Sequence, residues 1–165
     1  MYEAIQTYFA GEKNAALVIL GIGLLGLIAA FIFFQPRFAL RSFAITLAIF
    51  AFIEIAIGVG LFVRTGPQVK GLIAEFEKNT SAYVSSESER MIRVQKNFVI
   101  IQYVELFFIL LTAILAITFK KRISISGIAL AFLVNAAILL AFDIVAERRG
   151  ERYLTEIQTS SNYSR

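Results

Sequence analysis

The 165-residue chain contains no cysteine and no histidine. Without cysteine there is no disulfide, thiolate nucleophile or thiolate metal ligand. Without histidine there is no imidazole base, His-ligated haem or His-bound metal. Catalysis is disfavoured on this ground, and no cofactor is expected. Tryptophan is absent and proline occurs twice, so an interfacial aromatic belt must be built from Tyr and Phe. Charge is scarce too, at 17% of residues against roughly 25% in soluble domains.

What remains is apolar. Hydrophobic residues make up 58% of the chain and mean hydropathy is +0.74, the composition of an integral membrane protein. The net charge of +4 reads as juxtamembrane Lys and Arg facing lipid headgroups, so the lipid bilayer and not nucleic acid is the expected surface. Residues 43–63, FAITLAIFAFIEIAIGVGLFV, form an apolar run broken by one carboxylate, Glu54. About twenty such residues at about 1.5 Å rise cover the roughly 30 Å hydrocarbon core of a bilayer.

Four runs of this kind predict spans at 15–34, 42–63, 98–119 and 124–146 in a single membrane domain. The expected fold class is an all-α up-down bundle of four transmembrane helices, with an extramembrane helical hairpin between the second and third. The opening MYEAIQTYFAGEKN lacks the basic start of a secretory signal, and Ile5, Tyr8 and Phe9 suit a short interfacial helix or a helical lead-in to the first span. That span carries Gly21, Gly23 and Gly26 followed by Ala30, and small residues four apart, as in Gly26 and Ala30, let another helix approach closely. Gln35, Pro36, Arg37 and Arg41 form a tight turn.

After Arg64, the sequence Thr65, Gly66, Pro67 predicts a helix stop followed by a new start. Val69, Leu72, Ile73 and Phe76 then recur at amphipathic spacing, Asn79 to Ser81 break the pattern, and Ser86 with Glu89 reads as a capping box opening a second helix. That helix is expected to run unbroken from Ser86 into the third span, about 50 Å in all at 1.5 Å per residue. The arm is thus 67–97. Past the fourth span the region 147–165 is expected to continue as helix and then fray from Thr159 onward.

Polar residues inside the spans fall on stripes. Ala51, Glu54 and Gly58 share one, Gln102, Glu105, Thr112 and Ala116 a second, and Gly127, Ala131, Asn135 and Asp143 a third. Counted from the arm, Glu54 and Glu105 sit at similar depth, with Gln102 and Asp143 nearer the surface and Asn135 near the midplane. Two carboxyls in a low-dielectric interior do not both ionise cheaply, so a proton, a shared proton or a cation from solution is expected there. A metal ion from solution is one such cation, and a water-filled cleft that keeps both groups hydrated is the remaining alternative. Holding the bundle together through hydrogen bonds to Gln102, Asn135 or backbone carbonyls is the competing role. Asp143 reads as a helix-end group paired with Arg148 or a nearby Lys.

Residues 89–97, ERMIRVQKN, are similar to the motif opening the second helix of the membrane enzymes of eicosanoid and glutathione metabolism. That resemblance implies glutathione contacts at Arg90, Arg93, Gln95 and Asn97. The string covers nine residues, precedes the third span instead of the second, and lacks the acid that follows in those enzymes. Independently, Arg90, Arg93 and Lys96 could hold an anionic headgroup. Three classes follow: a non-catalytic interaction or assembly protein working through the arm, an oligomeric ion- or proton-coupled transporter using Glu54 and Glu105, and a membrane enzyme acting on lipid or glutathione-like substrates. A second copy or another membrane protein is the expected partner. The two short turns hold Arg37, Arg41, Lys120, Lys121 and Arg122 without an acid, which places them in the cytoplasm of, most simply, a bacterial inner membrane, with the arm and termini outside.

Overall fold

The computed structural model describes residues 1–35 and 40–163. The turn residues Pro36 and Arg37, and the last two residues of the tail, lie outside that range. Among the described residues the chain is all helix: α1 (Tyr2–Phe33), α2 (Arg41–Lys78), α3 (Thr80–Thr118) and α4 (Ile123–Tyr163). Each is long and apolar enough to cross a membrane, and each holds one of the expected apolar runs, α1 and α3 ending one residue short of theirs.

The helices are longer than those runs because amphipathic segments extend them at one end. Pro67 lies inside α2 and does not end it. A proline interior to a helix costs about 3 kcal/mol through its missing N–H and its clash with the preceding turn. Here the segments on both sides are held: Val69, Leu72, Ile73 and Phe76 pack on a buried cluster. Just before the proline, Thr65 is buried and donates its hydroxyl to the Leu61 carbonyl at 2.6 Å. Asn79 alone separates α2 from α3, with φ −158° and ψ 96°, and its side chain accepts from the Ala82 N–H at 3.0 Å. The break therefore falls where expected, but α3 starts at Thr80 and Ser86 caps nothing. Ser86 lies within the helix and donates to the Tyr83 carbonyl, while Glu89 bonds Arg93. α1 is a continuous helical lead-in, and α4 stays helical through Tyr163, beyond the expected fraying point.

α1 packs on α2 and α3 on α4, and α2 with α4 joins the two pairs. Phe33 meets Phe43 at one end of the first pair and Tyr2 meets Phe76 at the other. Within the apolar runs, small residues make these contacts. A Cβ on Gly23 would lie 2.7 Å from Ile55 Cγ1 and 2.8 Å from the Ala51 carbonyl oxygen, and one on Gly58 would lie 2.9 Å from the Ala16 carbonyl oxygen. Gly127 plays the same part between α4 and α2, against Ser42 and the Phe43 backbone. The outward faces are large and apolar, with Phe31, Val63, Tyr103, Leu110 and Ile117 all exposed.

Gly23 therefore gives a sharp contrast with Gly21, around which a Cβ would meet nothing within 4 Å. Gly23→Leu is expected to destabilise the α1–α2 pair by about 1–3 kcal/mol, the usual cost of overpacking, and Gly21→Leu by far less. Unfolding in mixed micelles measures both.

The densest packing lies at the other end of the molecule. Ile5, Tyr8 and Phe9 of α1, Tyr83 and Met91 of α3, and Tyr153 and Ile157 of α4 form one buried cluster, with Phe76 of α2 against it. All four helices contribute, so this end is a four-helix head and not a lone hairpin.

Candidate functional site

The head is built around a charged group that its sequence spacing alone would have left on the surface. Glu87 and Arg90 are three residues apart on α3, and the guanidinium binds the carboxylate through two bonds of 2.7 Å. Glu87 is 2% exposed. Its Oε1 also accepts from the Tyr153 hydroxyl at 3.1 Å, and that hydroxyl lies 2.8 Å from the Tyr83 hydroxyl. Tyr8 stacks on Tyr153 with ring centroids 4.6 Å apart and donates to Glu12 at 2.9 Å. A buried carboxylate is tolerated only when paired and hydrogen-bonded in this way. Of these aromatic residues, Tyr8 shows in the sequence as part of a helix face with Ile5 and Phe9; its meeting point with Tyr83 and Tyr153 does not show there.

Burial pushes the Tyr83 hydroxyl up to about 12, and burial also raises Tyr8 and Tyr153, with Glu12 and Tyr83 respectively adding to the effect. Their folded-state values lie above the value near 10 of an unfolded tyrosine. The stability they confer is thus complete below pH about 10 and is lost as pH rises toward 12. Tyrosinate absorbance is expected to show these three ionising together with loss of the head.

A polar seam leads from the head along α3 and α4. Gln95 donates to the Glu147 carbonyl at 3.2 Å and Gln102 to the Glu147 carboxylate at 2.7 Å. One turn deeper, Glu105 and Asp143 face each other. Asp143 forms no ion pair among the described residues, so the expected pairing with Arg148 is replaced by proximity to Glu105. Glu54 is buried elsewhere, on the face of α2 that also carries the buried Ala51 and Gly58. No hydrogen bond joins Glu54 to Glu105 among the described residues. Gln102 is engaged by Glu147, and Asn135 donates to the Ala131 carbonyl at 2.9 Å, so neither serves Glu54 or Glu105. Glu54 Oε1 and Glu105 Oε2 are buried without a partner. Among the described residues no three acidic side chains gather as a metal site would require.

The anion-binding candidates on α3 are differently placed. Arg90 is committed to Glu87, Arg93 pairs with Glu89 at 2.6 Å, and Lys96 is exposed. With Gln95 bonded to Glu147, three of the four residues singled out by the glutathione-enzyme resemblance have partners within the chain. Sequence reasoning passed over a different basic group. Arg148, Arg149 and Arg152 of α4 line an open groove of about 580 Å³ against α1, whose wall includes Ala4, Thr7 and Gly11. Alternation of Glu and Arg over residues 147–152 disguised it as an ordinary solvated helix face.

No family model, no curated protein and no solved structure matches this chain. The class that its fold and composition define is a small all-helical protein with four helices suited to spanning a membrane.

Proposed function

We propose that the chain is a non-catalytic membrane protein of interaction or assembly. It would cross the bilayer as an up-down-up-down bundle and present the four-helix head, with both termini and the α2–α3 hairpin, on one side. The observation that carries this reading is the head itself. Its buried carboxylate Glu87 is satisfied internally by Arg90 and Tyr153, and it is braced by all four helices, as suits a rigid element displayed to a partner. The short basic turn at Lys120, Lys121 and Arg122 favours a cytoplasmic location for the opposite end, in a bacterial inner membrane.

Single cysteines at Thr80 and Ser160 test the topology, since both should react with an impermeant maleimide from the same side of intact cells. Photo-crosslinkers at the exposed positions Glu75 and Ser85 test the role. A discrete adduct with a second copy or another membrane protein is expected, and no adduct from either position would sink the reading.

The transport alternative is favoured by one observation, the buried unpartnered oxygens of Glu54 and Glu105. It predicts proton or cation flux in proteoliposomes that Glu54→Gln and Glu105→Gln abolish without unfolding the bundle. The interaction reading predicts no flux above that of empty vesicles.

A further inference from the structure

The arginine-lined groove does not end at the head. Gly11, Val145 and Arg149 are shared with a second groove of about 510 Å³ that continues between α1 and α4, lined by Ala15, Val18, Ala141 and Phe142. These four belong to the apolar runs 15–34 and 124–146, whereas Arg148 and Arg152 lie just beyond the second of those runs. The two recesses make one slot, basic at the level of lipid headgroups and apolar below it.

We propose that this slot is a binding site for an anionic phospholipid, the phosphate held by Arg148, Arg149 and Arg152 and an acyl chain lying between α1 and α4. None of the three arginines forms an ion pair among the described residues. Every other described Arg of the head and its border does: Arg64 approaches Glu12, Arg90 binds Glu87 and Arg93 binds Glu89. Three cations without an acidic partner on one wall, among the described residues, are a complement to a phosphate, with which guanidinium forms paired hydrogen bonds. Arg149 is also aimed into the slot. It crosses to the Gly11 carbonyl, to which it donates, and its Nε is buried without a partner. Gly11 makes this crossing feasible, because a Cβ there would lie 2.5 Å from Arg149 Cδ. The acidic residue in the slot, Glu156, stands two helical turns beyond Arg149, at the end away from the apolar section.

The site rests on the membrane placement of α1 and α4 and not on the docking role of the head. A missing protein partner would leave the lipid result unchanged. The full chain is reconstituted in phosphatidylcholine vesicles containing a minor fraction of phosphatidylglycerol, and spin-labelled forms of each lipid report the fraction immobilised on the protein. Phosphatidylglycerol should be preferred, and Arg148→Gln with Arg152→Gln should lower the preference by roughly fivefold or more, since one juxtamembrane cation contributes about 1 kcal/mol. Lys120→Gln with Lys121→Gln, at the other end of the bundle, should leave most of it in place.

Ala141→Trp fills the apolar section while every charge is kept, and it should abolish the preference as the arginine changes do. Val18→Trp fills it from the opposite wall, so a folding defect in one variant is checked by the other. Unaltered tyrosinate titration of the head confirms that each variant is folded. Equal immobilisation of the two lipids by the parent chain overturns the proposal. So does a preference that survives both tryptophan variants, because that would be a diffuse attraction of basic residues for an anionic surface.

Discussion

Replacing Arg90 with alanine is expected to destabilise the head by about 3 kcal/mol, because it leaves the Glu87 carboxylate buried and uncompensated. The value sits at the low end of the range for broken buried pairs because the Arg90 side chain is 33% exposed and water can enter beside it. Neutralising the stranded acid should recover most of the loss. In Glu87→Gln with Arg90→Ala, the amide oxygen still accepts from the Tyr153 hydroxyl, and no charge is left in the cluster. The exposed pair nearby is the control: Arg93→Ala breaks an equally short contact to Glu89, with side chains 62% and 72% exposed, and should cost well under 1 kcal/mol. Hydrogen exchange across residues 80–94 measures all three. A cost for Arg90→Ala no larger than that for Arg93→Ala would show that Glu87 is not buried as described.

Phe9→Ala should cost more, about 3–5 kcal/mol, as deletion of a fully buried aromatic ring usually does. Phe9 is 1% exposed and meets two rings edge-on, Tyr8 at 4.9 Å and Tyr153 at 6.3 Å between centroids. Its removal opens a cavity beneath the Tyr8–Tyr153 stack, which rigid helices can close only in part. Exchange protection should fall in the first turns of α1, around Tyr83 and around Tyr153 together. Amides within the apolar run of α2, whose packing on α1 depends on Gly23 and Gly58, should keep theirs.

The four apolar runs could be read from the sequence because membrane crossing depends on a quantity summed over some twenty residues, which local errors do not disturb. The small-residue stripes were equally legible, since Gly58 and Gly127 can serve close approach only if a neighbour is there. The Thr65–Gly66–Pro67 stop was misread for the opposite reason. Local propensity favours a break, and the packing that overrides it comes from Val69 to Phe76 meeting residues far away in the chain. The head was missed as a unit on the same account. Ile5, Tyr8 and Phe9 show a helix face, but nothing near them in sequence shows that Tyr153 and Ile157 cover it.

Depth along a helix is countable and direction around it is only half so. Counting from the arm gives Glu54 and Glu105 a similar depth, yet α3 turns its polar stripe toward α4, where Glu105 finds Asp143 and Gln102 finds Glu147. The carboxyl of Glu54 stays on the face of α2 that carries Ala51 and Gly58. A heptad-style stripe identifies an inward face without naming the neighbour, and with four helices there are several neighbours to choose from.

The single residue between α2 and α3 leaves no slack at the tip of the molecule. Helices of 38 and 39 residues, each close to 57 Å at about 1.5 Å per residue, meet at Asn79 and run from there to the far end of the bundle. Both pack against the aromatic cluster on the way, so each is a lever in form, with that cluster as the common fulcrum. A displacement imposed on the tip by anything that grips it has no flexible linker in which to dissipate, and must reappear as a tilt of the apolar segments. The one weak point in the α2 lever is the interrupted backbone ladder at Pro67, near the boundary between the head and the apolar run, where such a tilt would begin.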